Sequence, residues 1–187
     1  MRNIEPLILL FHNRWNIVIL DEMQRTSGSK FVTLVKRLGM SKDSLRRTLA
    51  ALIDAGWVVR NPGYGHPLRP EYILTPDGSD LARSCVRFVN LLSTLGVKEV
   101  ALRKWSMPVV FALYGGSTRF LELKLLLGIT SRALTLALKD LEPAGIINRT
   151  LINTQSSWAR YQLSERGCHL ALLLEGLADA LPGRRST

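Results

Sequence analysis

Arg46 and Arg47 stand side by side in SKDSLRRTLAALIDAG, a segment in which Leu45, Leu49 and Leu52 recur at i, i+4 and i+7. If those leucines face a core, a helical wheel turns Asp43, Arg46, Arg47 and Ala50 outward, with Lys42 at the edge near the helix start. A guanidinium there can donate two parallel hydrogen bonds to guanine O6 and N7, or neutralise a phosphate. An outward Arg-Arg pair on an isolated helix is ordinarily a solvated face, so the surrounding elements must decide between the two readings.

Those elements occur twice. Shifting the sequence by 89 residues places KFVTLVKRLGMSKDSLRRTLAALIDAGWVVR on RFLELKLLLGITSRALTLALKDLEPAGIINR without a gap, and 15 of the 53 positions from Lys30 to Ala82 are identical. Average residue usage would give about four or five. The period is too long for a solenoid, which leaves two copies of one compact unit. In each copy a first helix, at Trp15 to Gln24 in copy one, precedes a short second one, Phe31 to Leu38, that Gly39 ends as a left-handed cap. Ser41 and Thr130 are N-caps for a third helix, and Ala55-Gly56 and Ala144-Gly145 stop it. Two β-branched or aromatic runs follow, WVVR with EYILT and IINRT with RYQLS, as in a small hairpin. An amphipathic helix resumes after Gly78 and Gly167, ending near Leu95 and Leu181, Gly96 lies in the linker, and PGRRST is a frayed tail.

The fold expected is mainly α with small β-hairpin wings: tandem winged helix-turn-helix domains at 1–96 and 97–187. A helix, a turn and a second helix packed on their inner faces free the outer face of the second to enter a major groove. This context favours the reading role for Lys42, Asp43, Arg46 and Arg47. Arg60 and Arg69 bracket the first wing loop, NPGYGHPLR, which carries His66 at its tip and could follow a phosphate backbone or enter a minor groove. In copy two the matching candidates are Ser131, Arg132, Thr135 and Lys139 on the third helix, with Arg149 and Arg160 on the wing. No outward wheel residue is shared between Asp43, Arg46, Arg47, Ala50 and Arg132, Thr135, Leu136, Lys139. Two half-sites of different sequence are therefore expected.

Charge agrees. The chain carries 25 Lys+Arg against 15 Asp+Glu, for a net +10. Divided after Leu95, the two parts hold 13 basic with 8 acidic residues and 12 with 7, so each is +5. Such a balance suits a polyanionic partner, here double-stranded DNA. An anionic membrane surface fits less well, because no helix segregates a basic from a strongly apolar face. No segment offers the roughly 18 unbroken apolar residues of a membrane span. The opening MRNIEPLILLFHNRWNIVIL has an apolar run broken by His12, Asn13 and Arg14, with no small-residue cleavage site after it. A cytoplasmic, nucleoid-associated protein is expected.

Chemistry of other kinds finds little support. His12, His66 and His169 are scattered, and adjacent Cys168 and His169 on a helix would point about 100° apart, wrong for a thiolate–imidazole pair. No carboxylate pair, phosphate loop or metal-ligand spacing occurs, so no enzyme activity, metal or cofactor is expected. Cys85 and Cys168 are too few for a disulfide framework and are read as buried, inert thiols. Trp15 and Trp105 are read as core.

The stretch KWSMPVVFALYGGSTRFLELKLLLGITSRALTLALKDLEPAGIINRT with RYQLSERG resembles the HxlR-type winged helix-turn-helix regulators of bacteria. The pattern is a Lys-Trp helix, an Arg-Phe opening the second helix, a Ser/Thr start to the third, a Leu-x-x-Leu-x-x-x-Gly end and Tyr-x-Leu-Thr/Ser-x-x-Gly after the wing. Copy one carries a looser version in KFVTL and EYILTPDG. The resemblance implies DNA binding, usually by homodimers paired through terminal helices. Two units in one chain then imply an intramolecular pseudo-dimer, with further homodimerisation left open. Some relatives sense electrophiles through a cysteine near the start of the unit, a position that neither Cys85 nor Cys168 matches.

FLELKLLLG in copy two is apolar almost all round where copy one has Lys36 and Arg37, which points to burial on two sides. Leu125 and Leu126 would pack against the other copy, against a second chain, or around a small-molecule effector; the first is the commonest arrangement for such faces. The same leucines support a rival function, a protein-interaction module that sequesters another regulator without touching DNA.

Overall fold

The computed structural model describes residues 4–63, 65–66, 68–153 and 157–181. The PGRRST tail lies outside them, as do Tyr64 and Pro67 of the first wing loop. The first half runs α1 (Glu5–Phe11), α2 (Arg14–Thr26), α3 (Phe31–Leu38), α4 (Lys42–Asp54), β1 (Val58–Arg60), β2 (Tyr72–Leu74) and α5 (Pro76–Leu95). The second runs α6 (Lys98–Ala101), α7 (Ser106–Tyr114), α8 (Phe120–Leu127), α9 (Ser131–Leu141), β3 (Ile147–Ile152), β4 (Trp158–Leu163) and α10 (Glu165–Ala180). Each half is a winged helix-turn-helix unit, as the repeat predicts.

Local chemistry sets the boundaries. Gly39 and Gly128 take left-handed φ of 63° and 62° at the ends of α3 and α8, a conformation that costs glycine nothing. Two residues on, the hydroxyls of Ser41 and Thr130 accept the N–H groups of Ser44 and Ala133, opening α4 and α9. Leu45, Leu49 and Leu52 are buried, and so are Leu134, Leu138 and Leu141. The hairpins keep the 89-residue register, with Val58 opposite Leu74 and Ile147 opposite Leu163. The second is longer, six residues a strand against three. A short third edge joins each, through Ser29 N–H to Tyr72 O at 2.9 Å and Tyr161 N–H to Thr118 O at 2.9 Å.

The motif after each wing has a steric cause. Thr75 and Ser164 cap α5 and α10 and also donate to the carbonyls of Gly56 and Gly145, at 2.7 and 2.6 Å. This presses the first helical turn onto the chain entering β1 and β3. A Cβ on Gly78 would lie 1.8 Å from Trp57 O, and one on Gly167 2.2 Å from Ile146 O, so only glycine fits there.

The halves share one apolar core. α10 packs along α5, and α1 from the first half lies on α7 and α10 of the second, burying Leu7, Leu10 and Phe11. The sequence shows only an interrupted apolar run at α1, and the helix there is an addition to the expected elements. Among the described residues, no helix is long and apolar enough to cross a membrane.

Three expectations need correction. The helix enclosed on every side is α7, where Ser106 to Leu113 are all buried, while α8 leaves Leu125 80% and Leu121 67% exposed. Two turns long, α8 buries only Leu123 and Leu127 fully, and the crossing of α1 and α10 falls on α7 instead. Leu126 is partly buried against the core. Cys85 is buried, its thiol pKa pushed up by desolvation, but Cys168 is exposed on the outer face at the start of α10. Trp15 and Trp105 are half-buried at the rim of the core, each beneath a neighbouring cation, with Arg14 and Lys104 both 5.0 Å from the ring centres.

Candidate nucleic-acid interface

On α4 the inner leucine stripe leaves Lys42, Asp43, Arg46, Arg47 and Ala50 exposed, as the wheel requires. Arg46 is held in place from two sides. Its Nη1 lies 3.1 Å from Asp43 Oδ1, and its guanidinium sits 5.8 Å from the centre of the Phe31 ring on α3. Arg47 forms no ion pair among the described residues. In the interior, Thr48 is 1% exposed; it donates to Ser44 O at 2.8 Å and accepts from Asn13 Nδ2 at 2.9 Å. Asn13 is also the N-cap of α2, accepting Trp15 N–H at 3.1 Å, so one side chain starts the first helix of the motif and holds the third.

On α9 the exposed set is Ser131, Arg132, Thr135, Leu136 and Lys139. The Thr135 hydroxyl donates to Ser131 O at 2.8 Å, which leaves its lone pairs as acceptors toward solvent. Behind α9, Arg103 stands where copy one has Asn13 and reaches Asp140 at 2.5 Å, and Ala137 stands where copy one has Thr48. The two third helices are thus seated by different contacts as well as carrying different outer faces.

The wings differ too. In the first, Arg60 pairs with Glu71 at 2.9 Å across the hairpin. His66 Nδ1 accepts Leu68 N–H at 3.3 Å and so shapes the tip, while Asn61 ties the base through Gly63 N–H and Pro70 O. Arg69 is exposed beside Gly63. In the second wing Arg149 is exposed on β3, opposite Tyr161. Trp158 on β4 carries two guanidiniums, Arg119 at 4.3 Å and Arg160 at 5.3 Å from its ring centre. Arg119 and Trp158 are additions to the residues expected from sequence, although the Arg-Phe opening of α8 is itself a signal. Arg119 is fixed by its own turn: Glu122 accepts the N–H groups of Arg119 and Thr118, each at 3.0 Å. These two bonds hold the Glu122 carboxyl below its ordinary pKa.

Two outward third helices, each flanked by a cationic hairpin, define a winged helix-turn-helix protein of the DNA-binding class. The HxlR-like helix-turn-helix family matches residues 10–96 and again 100–182, and the chain belongs to that family. Two relatives from Bacillus subtilis (strain 168) are similar to part of it. The uncharacterized HTH-type transcriptional regulator YtcD is 37% identical over 91 residues, 48% of this chain and 69% of YtcD. The uncharacterized HTH-type transcriptional regulator YvaP is 34% identical over 91 residues, 48% of this chain and 79% of YvaP. No solved structure gives a significant match. The family and these relatives are transcriptional regulators, not enzymes, and the chain is a DNA-binding regulator of this type, with two family units in tandem.

Proposed function

We propose that the chain regulates transcription in the cytoplasm by reading a bipartite, asymmetric duplex site as an intramolecular pseudo-dimer of units 1–96 and 97–187. The observation that carries this reading is the complete difference between the outward residues of α4 and α9, in a pair of units that otherwise share their caps, hairpin register and post-wing glycines. The packing of α10 along α5 supports the pseudo-dimer, since it joins the last helices of the two units. The proposed contacts are Lys42, Asp43, Arg46 and Arg47 on α4 and Ser131, Arg132, Thr135 and Lys139 on α9. Arg60, His66, Arg69, Arg149 and Arg160 on the wings complete the set, joined by Arg119.

Selection from random duplexes tests the asymmetry: two unlike half-sites are expected, and a palindrome would overturn it. Binding to the selected duplex at two salt concentrations tests the mode. Several phosphate contacts make affinity fall steeply with salt, and Arg46→Ala/Arg47→Ala should weaken binding at one half-site only.

A second reading is favoured by Leu121 and Leu125, which stand exposed on α8 beside the second wing. In it the chain docks on another regulator through that face. Its signature is partner binding that is insensitive to salt and lost in Leu125→Glu.

A further inference from the structure

A recess of about 200 Å³ lies among α7, α8 and α10, with Ile4 of the first half on its wall. Phe111, Ala112 and Leu126 supply apolar surface, and Tyr114 and Glu175 supply a polar end, where the Tyr114 hydroxyl donates to Glu175 Oε2 at 3.3 Å. The duplicated unit provides an internal comparison. At the positions of Ala112 and Leu126 the first half has Glu22 and Arg37, which form an ion pair at 2.6 Å. At the positions of Tyr114 and Glu175 it has Gln24 and Val86, and Gln24 accepts the Ser79 hydroxyl at 3.3 Å. One half therefore closes this corner with charges that satisfy each other. The other half replaces both partners of the pair with apolar groups and gains a carboxylate at its polar end.

We propose that this recess is a binding site for a neutral or cationic molecule of about one ring carrying a hydrogen-bond donor. Size sets the first limit: a cavity of roughly 150 Å³ accommodates benzene, so this one takes a single ring with a short substituent. Tyr114 uses its proton on Glu175, and its remaining lone pairs accept from the ligand's donor. The Glu175 carboxylate repels anions from the same end. The site does not depend on how the chain reads DNA. Its wall nevertheless includes Ile4, the residue before α1, and α1 leads directly to Asn13 and its bond to Thr48 on α4.

The test uses the full chain without DNA, titrated with benzyl alcohol, toluene and benzoate and followed by ligand-observed NMR and thermal melting. Benzyl alcohol should bind saturably with Kd of about 1 mM, as expected of so small a ligand, and benzoate at least about tenfold more weakly. Leu126→Arg, which installs the first-half residue at a partly exposed position, should abolish binding of benzyl alcohol and toluene. Tyr114→Phe should weaken benzyl alcohol about five- to tenfold and leave toluene unchanged. Glu175→Gln should bring benzoate closer to benzyl alcohol. The proposal is overturned if wild type shows no saturable binding, if Leu126→Arg binds as wild type does, or if Tyr114→Phe fails to separate the two neutral ligands.

Discussion

Asn13 and Thr48 are 35 residues apart and meet at 2.9 Å, the amide of one donating to the hydroxyl of the other. The contact joins the cap of α2 to the middle of α4, one residue beyond Arg47, so it sets where the outward face of α4 points. Thr48→Val keeps the shape and removes the acceptor, leaving the Asn13 amide short of a partner. A loss of about 1–2 kcal/mol in unfolding free energy is expected. Asn13→Ala removes the helix cap as well and should cost more. Urea denaturation of both variants checks the order.

Asp43 places a negative charge on the face proposed to approach DNA, with its side chain 82% exposed and paired to Arg46. Such an exposed pair adds little to stability, whereas the carboxylate opposes phosphate. Asp43→Ala should raise affinity for the selected duplex about two- to fivefold and leave the melting temperature within about two degrees of wild type. Unchanged or weaker binding would place Asp43 off the DNA surface or in a base contact of its own.

The glycines separate tight backbone contact from open helix. Gly78→Ala and Gly167→Ala force a methyl into the carbonyls of Trp57 and Ile146 and should each cost about 3 kcal/mol or more. Gly176, also on α10, has nothing within 4 Å of the place a Cβ would take, and Gly176→Ala should stabilise by about 0.5–1 kcal/mol. Thermal melts of the three variants give the comparison.

Glu122 couples the start of α8 to pH. Its folded pKa lies below the ordinary value of 4.5 because it accepts the Arg119 and Thr118 N–H groups. The sign follows: the stabilisation is fully present above pH 4.5 and is lost as pH falls through the lowered folded value. The difference in denaturation midpoint between wild type and Glu122→Gln should therefore be constant from about pH 7 to about pH 5 and shrink at lower pH. A gap that persists in acid would mean that the charge is not what holds the turn.

The repeat carried most of the architecture. Caps at Ser41 and Thr130, glycines that end α3 and α8, and strands of β-branched and aromatic residues are local signals, and identical spacing in two copies doubled each one. What the sequence hid depends on contacts between distant segments. The helix α1 is stabilised by burying Leu7 and Leu10 against the other half, which no window around Glu5–Phe11 contains. The all-round apolarity of FLELKLLL reads as deep burial, yet Leu125 lies in solvent because the neighbouring half crosses over α7. Arg119 and Trp158 are far apart in the chain and become neighbours only when the start of α8 pairs with β4. The outward residues of α4 and α9 were legible because a buried leucine stripe fixes the opposite face of a helix by geometry.

The packing of α10 along α5 within a single chain bears on dosage. Two separate identical subunits must meet before they can occupy a site together, so at low copy number occupancy falls with the square of their concentration. Halves joined through Gly96 have no such encounter to make. Under the proposed reading, a cell holding a few molecules keeps all of them competent, and the response to a change in expression is first order. The same joining lets one half change its outer face without imposing that change on the other, a freedom closed to any regulator assembled from two copies of one gene product.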